Sequence, residues 1–205
     1  MNVFTLVCPY CAAPISNNSI KCEYCGREYV ISSFSSLSKN SMSEIKKIGD
    51  AFSKALANNP IDSTLNRSMG ICFTYLGLYE KACACFEKVI DINPEGSFGY
   101  YAMAICLLKG KPAFLCEKKT IDKSIEYLNA AIMIEDFGIF QYLMAYIKYD
   151  YYSRKFLNIK PDYQHHLDRA HSIGISKEDV YSIFDLLKVE MPDCFEDRAG
   201  FASNK

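Results

Sequence analysis

The chain has 205 residues, half of them apolar, so it is long enough for one medium-sized domain and a small additional module. Its 23 Lys and Arg residues are balanced by 24 Asp and Glu residues. This balance excludes the broad positive field that non-specific binding to nucleic acid or to an anionic membrane requires. The total charge therefore indicates no partner.

The first eleven residues, MNVFTLVCPYC, lack the basic region and the apolar region of a signal peptide, and no later run approaches 20 apolar residues. We therefore expect a cytoplasmic protein without a membrane span. Six of the ten cysteines are scattered through the second part of the chain without the spacing of a disulfide framework, so we expect free thiols. These six are Cys72, Cys83, Cys85, Cys106, Cys116 and Cys194.

The other four cysteines form two Cys-x-x-Cys pairs near the N-terminus: Cys8 with Cys11, and Cys22 with Cys25. Four thiolates match the number and softness of the ligands that tetrahedral zinc prefers, and a closed shell of four leaves no position for a substrate. About 30 residues cannot bury a stabilising core, so bound metal should decide whether this module folds. Gly26 suits the tight turn beside the last ligand. We predict a structural Zn²⁺ site.

The segment around these cysteines resembles the short zinc ribbons written C-P-x-C-G, spacer, C-x-x-C-G, with Ala12 in place of the first glycine. The resemblance covers residues 3–31 and implies metal-binding turns on short strands, at 3–7 and 28–31. A single Cys-x-x-Cys pair is equally consistent with a redox pair or with chance, but two pairs at this spacing favour zinc. We therefore predict a zinc ribbon over residues 1–31.

A serine-rich stretch comes next, with seven serines between residues 31 and 43. Such a composition has little to bury and much backbone freedom, so we predict a linker at 32–41. Ser41 and Glu44 have the spacing of a helix capping box, which predicts a long helix beginning near Met42.

The rest of the chain repeats with a step of 34 residues: FSKALANNP at 52–60 returns as FEKVIDINP at 86–94. A period of this length is typical of stacked helical hairpins. The fullest unit, 69–94, resembles the tetratricopeptide repeat at Gly70, Phe73, Gly77, Tyr79, Ala82, Phe86 and Pro94. The resemblance implies an α-solenoid in which Gly70 and Ala82 allow close helix contact and Phe86 fills the space between helices.

Two further hairpins continue the pattern. The first joins 100–108 to 125–136 after an insertion within 109–120, and the second joins 142–152 to 163–176, with Lys148 at an apolar position. Ser176 and Asp179 predict the start of a final capping helix. We thus predict a mainly α fold, with an α-solenoid of TPR-like hairpins over 42–190, a tail at 191–205 and a small N-terminal β zinc ribbon. A generic helical bundle is the alternative.

Signatures of catalysis are missing from the sequence, which has no G-x4-G-K loop, no G-x-S-x-G elbow and no H-E-x-x-H pair. His165, His166 and His171, beside Asp168, could bind a metal or act as a base. Adjacent histidines on a helix point to different faces, however, so solvent-facing side chains are the favoured interpretation. We expect a protein that is not an enzyme.

In the repeat family the first helix of each hairpin lines a concave surface. The corresponding groove residues here would be Arg67, Ile71, Tyr101, Ile105, Tyr142 and Tyr146. This set is mostly apolar, which favours a protein or peptide segment with apolar anchors over a C-terminal carboxylate. A tyrosine stripe at helical spacing is equally typical of a protein core.

These features together predict an adaptor that binds a protein or peptide. The alternative is a nucleic-acid-associated regulatory factor that uses the zinc ribbon. Local charge disfavours it, because Lys21 and Arg27 are balanced by Glu23 and Glu28.

Overall fold

The computed structural model describes residues 6–8, 11, 13–15, 22–26 and 30–196, and the protein is mainly helical over these residues. The chain divides into two compact units, Met1–Pro94 and Glu95–Lys205.

The first unit begins with two strands of two residues each, β1 (Leu6–Val7) and β2 (Pro14–Ile15), which pair antiparallel. A 3-10 turn at Phe34–Leu37 precedes three helices: α1 (Met42–Asn58), α2 (Ser63–Tyr75) and α3 (Tyr79–Ile92). Helix α2 packs against both α1 and α3.

Helix α1 begins where the capping box predicts. The backbone N–H of Ser41 donates to Glu44 Oε2 at 2.8 Å, and the N–H of Glu44 donates to Ser41 Oγ at 3.3 Å. These two bonds satisfy amide groups that have no partner inside the helix. Asp62 caps α2 in a related way, accepting from the N–H of Leu65 at 2.9 Å. Local polar residues thus fix where both helices start.

Gly70 allows α2 and α3 to approach closely. A Cβ atom at Gly70 would lie 2.6 Å from Cε1 of Phe86, a ring that is fully buried. The small residue and the aromatic ring therefore fit closely between these two helices.

The serine-rich stretch contacts the helices of the first unit, although its composition predicts a linker. Phe34 and Leu37 are buried, and the ring of Phe34 lies edge-on to Phe86 with 6.3 Å between centroids. The hydroxyl of Tyr75 donates to the Phe34 carbonyl at 2.7 Å. The two apolar residues are three apart, so both lie on one face of the 3-10 turn.

The second unit contains α4 (Ser97–Leu107), α5 (Lys118–Ile134), α6 (Gly138–Ile147), α7 (Tyr163–Ile173), α8 (Lys177–Leu187) and α9 (Asp193–Glu196). Helix α5 packs against α4 and α6, and α6 packs against α7 and α8. The predicted insertion falls between α4 and α5 and includes a 3-10 turn at Ala113–Leu115. Ser176 caps α8 by accepting from the N–H of Asp179 at 3.1 Å, as predicted.

Helix α6 continues into a π-helical segment at Lys148–Tyr152 and a 3-10 turn at Ser153–Lys155. A π turn accommodates one more residue than an α turn, which shifts the phase of every later side chain.

The first residues of the predicted tail belong to the second unit. Phe195 of α9 is fully buried, and its ring lies 5.4 Å from that of Tyr142 and 5.5 Å from that of Tyr149. Residues 197–205 lie outside the described residues.

Among the helices in the part of the chain that the structure describes, none combines the length and the apolar character needed to cross a membrane.

Candidate metal centre

The first pair of cysteines is positioned by the β1–β2 pairing. Cys8 follows β1 directly, and its backbone N–H donates to the Ala13 carbonyl at 2.8 Å, just before β2. Cys11 lies between these strands, and its sulfur is within 4.8 Å of that of Cys8. The ribbon resemblance implies a strand at 3–7, of which Leu6 and Val7 are described and form β1.

The second pair is positioned by a turn that closes at Gly26. The N–H of Gly26 donates to the Cys22 carbonyl at 2.8 Å, and Gly26 has a φ of +69°, which side-chain-bearing residues rarely adopt. The glycine thus has the role that the sequence predicts. The second predicted strand, 28–31, falls partly outside the described residues, and Val30 and Ile31 are not in a strand. The partner of β1 is instead β2, between the two pairs.

The four sulfur atoms of Cys8, Cys11, Cys22 and Cys25 all lie within 4.8 Å of one another. Cys8 Sγ is 3.7 Å from Cys25 Sγ, and Cys11 Sγ is 3.6 Å from Cys22 Sγ. These separations are far longer than a disulfide bond of about 2 Å. A tetrahedron with zinc–sulfur bonds of about 2.3 Å has edges of about 3.8 Å. The cluster thus has the size and the donor set of a four-thiolate metal site.

The pKa values of two thiols in the cluster are shifted in opposite directions. Burial works against ionisation of Cys22, but backbone donors at Cys25 and Tyr24 and neighbouring thiols lower its pKa to about 7. For Cys11 a backbone donor at Ala13 favours the thiolate, but desolvation and the other three thiols raise its pKa to about 12. Four thiolates this close together would repel one another electrostatically. A divalent cation would remove that repulsion, so metal binding should release protons.

Few apolar side chains pack together among the residues that the structure describes around the four cysteines. Cys8 and Cys22 are buried and have Ala13 and Val30 packed against them. So small a cluster supplies little hydrophobic stabilisation. Among the described residues of this cluster, the buried ones are the cysteines Cys8 and Cys22, which fits a site held together by a bound ion.

The predicted groove residues are mostly interior. Arg67 is half-buried, whereas Ile71, Tyr101, Ile105, Tyr142 and Tyr146 are buried. The rings of Tyr142 and Tyr146 lie edge-on to Phe184 of α8, at 6.2 and 5.4 Å between centroids. Tyr101 packs against Phe140 at 4.7 Å. These contacts match the core alternative for the tyrosine stripe.

The three histidines occupy different environments. His165 is exposed and His171 is half-buried, but His166 is only 8% exposed. The expectation of solvent-facing histidines is therefore wrong for His166, because its ring lies between Lys148 and Gln141. Its Nε2 is 2.9 Å from Lys148 Nζ and its Nδ1 is 2.7 Å from Gln141 Oε1. The sequence signal for this pairing is Lys148 itself, a charged residue at an apolar position.

The chain matches no protein-family model and no curated protein.

Proposed function

We propose that this protein is a non-enzymatic protein-interaction module, in which an N-terminal zinc ribbon precedes TPR-like helical repeats. The observation that carries the first part is the convergence of four cysteine sulfurs within 4.8 Å. Four soft ligands form a closed shell, so the ion would stabilise the fold and would not activate a substrate.

The repeat interpretation is supported by the 34-residue step of the sequence and by the fit of Gly70 against Phe86 between α2 and α3. Helical repeats stack short hairpins and use the resulting surface for binding. The buried tyrosines are unavailable for that purpose, so a partner has to contact side chains that are exposed. The proposed role is an adaptor, with the ribbon as a second contact.

The metal part is tested by the zinc content of the full chain purified without chelator. We expect about one equivalent of zinc per chain. Cys22→Ser should reduce this value to less than half, whereas Cys83→Ser, which alters a helical thiol outside the cluster, should leave it unchanged. Zinc that is absent from the wild-type protein, or that persists in Cys22→Ser, contradicts the assignment.

The adaptor part is tested by affinity capture with the full chain as bait, followed by titration of the captured protein. We expect saturable binding of a protein partner at a fixed stoichiometry. Salt-dependent retention on DNA, RNA or heparin without a protein partner would favour the nucleic-acid alternative.

A further inference from the structure

A large apolar side chain is held in solvent at the end of the π-helical segment. Phe156 is 95% exposed and has a φ of +57°, and the next residue, Leu157, is also exposed. The N–H of Phe156 donates to the Ser153 carbonyl at 3.0 Å, and that of Leu157 donates to the Tyr152 carbonyl at 2.9 Å. The left-handed region is costly for a bulky residue and is ordinarily occupied by Gly or Asn. The turn therefore fixes the backbone from which an exposed phenyl ring extends.

A second exposed apolar residue belongs to the turn packed beside this one. Leu115 is exposed, and the ring of the preceding Phe114 lies 4.7 Å from the guanidinium carbon of Arg154 and 4.9 Å from Lys155 Nζ. The backbone N–H of Phe114 donates to Asp150 Oδ2 at 2.7 Å, and Asp150 is buried. The two turns are thus fixed to one another through a buried carboxylate, and both carry apolar side chains into solvent.

Basic residues are concentrated in the two segments that carry these apolar side chains. Residues 109–122 and 150–160 contain seven Lys and Arg residues and three Asp and Glu residues, a net charge of +4 in a chain whose total is −1. Two of the carboxylates are engaged locally: Asp150 pairs with Arg154 at 2.5 Å, and Asp122 pairs with Lys118 at 2.6 Å. The near-zero total charge therefore conceals a local positive region. The same two segments carry the exposed side chains of Leu115, Phe156 and Leu157.

We propose that this surface, called here the basic apolar tip and consisting of Leu115, Lys119, Arg154, Lys155, Phe156 and Leu157, docks on the surface of an anionic lipid bilayer. The aromatic and leucine side chains enter the boundary between headgroups and acyl chains, and the basic side chains contact the anionic headgroups. A bilayer can receive a protruding phenyl ring without a matching cavity, and its negative charge complements the tip.

This inference goes beyond the proposed adaptor function and does not depend on it. It describes peripheral attachment through a few side chains, in contrast to insertion of a helix. The occupant to be distinguished by experiment is an acidic soluble protein that receives the same side chains in a pocket.

The chain contains no tryptophan, so one introduced indole reports on its own surroundings. In Phe156→Trp we expect a blue shift of the emission when vesicles of phosphatidylserine and phosphatidylcholine are added at low salt. Vesicles of phosphatidylcholine alone should require at least about ten times more lipid for the same shift. Met133→Trp is the matched control, since Met133 is 86% exposed in the same unit but lies outside the tip, and its emission should not move.

Sedimentation with the same vesicles tests the native side chain. Phe156→Asn keeps a residue that tolerates the left-handed conformation and removes the ring, so the melting temperature should stay unchanged while vesicle affinity falls by about tenfold or more. Lys119→Glu should also weaken binding, and Met133→Asn should not. The proposal is overturned if wild-type protein does not sediment with anionic vesicles, the result expected for a soluble acidic partner. It is equally overturned if Phe156→Asn binds them like the wild type.

Discussion

The ammonium nitrogen of Lys148 lies 2.9 Å from Nε2 of His166, and both side chains are buried. An ammonium group can only donate, so Nε2 accepts, and the ring proton resides on Nδ1, which donates to Gln141 Oε1 at 2.7 Å. The Gln141 amide then donates to Asp136 Oδ1 at 2.7 Å, and Asp136 also accepts from Arg169. Every donor in this network faces an acceptor only while the histidine is neutral.

Acidification should therefore destabilise the protein through His166. Burial and then the Lys148 charge lower the pKa of His166 to about 4, below the value of about 6.5 expected when unfolded. The unfolded chain thus binds the proton more readily, and stability is fully present above pH 6.5 and is lost as the pH falls toward 4. We expect a loss of about 1 to 2 kcal/mol between pH 7 and pH 5, measured by urea unfolding.

The control for this effect is His166→Gln, whose amide oxygen can still accept from Lys148 but cannot be protonated in this range. Its stability should change less between pH 7 and pH 5 than that of the wild type. Equal slopes in the two proteins would assign the acid sensitivity to other groups.

The tyrosine stripe should behave as core. Tyr142 is fully buried, its ring contacts Phe184 and Phe195, and its hydroxyl donates to Met191 Sδ at 3.7 Å. Tyr142→Ala should reduce the free energy of unfolding by about 3 to 5 kcal/mol. Tyr181→Ala, at an exposed tyrosine of α8, should change it by less than about 0.5 kcal/mol. An unchanged melting temperature in Tyr142→Ala would restore the groove interpretation.

Two helical glycines of the first unit should respond to alanine in opposite directions. At Gly70 the new Cβ would lie 2.6 Å from the buried Phe86 ring, so Gly70→Ala should destabilise by about 1 to 3 kcal/mol. At Gly49 the nearest atom is Cys72 Cβ at 3.7 Å, an ordinary contact. Gly49→Ala should therefore stabilise α1 by about 0.5 to 1 kcal/mol. Chemical unfolding of both variants measures whether each substitution raises or lowers the free energy of unfolding.

Asp150 should contribute more to the stability of the protein than an aspartate at the surface does. It is buried and accepts from Phe114 N–H, Tyr146 OH and Arg154. Asp150→Asn should cost about 1 to 3 kcal/mol because an amide cannot serve all three donors. Asp122→Asn disrupts a largely exposed pair with Lys118 and should cost less than about 1 kcal/mol. Similar thermal shifts for the two variants would contradict this difference.

Metal removal should affect the N-terminal region and spare the helices. The described residues between 6 and 26 have little apolar packing beyond Ala13 and Val30 against the buried cysteines, whereas α1 begins only at Met42 with its own capping box. Treatment with a zinc chelator should therefore abolish amide-exchange protection around Cys22 while far-UV circular dichroism stays nearly constant. A cooperative loss of helix on chelation would show that the helices also depend on the metal.

Features that depend on neighbours in sequence were predictable. The start of α1 is set by Ser41 and Glu44, and that of α8 by Ser176 and Asp179, because each cap joins residues three apart. The cysteine spacing likewise predicted that the four sulfurs lie close together, and Gly26 has the expected positive φ. Local chemistry decides each of these.

The features that escaped prediction depend on residues from distant parts of the chain. His166 contacts Lys148, 18 residues earlier, and Tyr142 contacts Phe195, near the end of the described residues. The π-helical segment also shifts the side-chain phase after Ile147, so a count of 34 residues misplaces the positions beyond it. In the serine-rich stretch Phe34 and Leu37 are buried, but the high serine content led to the prediction of a linker.

Lys148 and Asp150 are both buried in the π-helical segment, although they are only two positions apart. Residues two positions apart on a helix face nearly opposite sides, so both sides of this segment are covered by protein. Here the cation is satisfied by Pro161 and His166, and the anion by Phe114 and Arg154. Each charge thus depends on partners that the fold of the second unit brings to it, and removing those partners would leave an uncompensated ion inside the protein, a larger penalty than the loss of an ion pair in water.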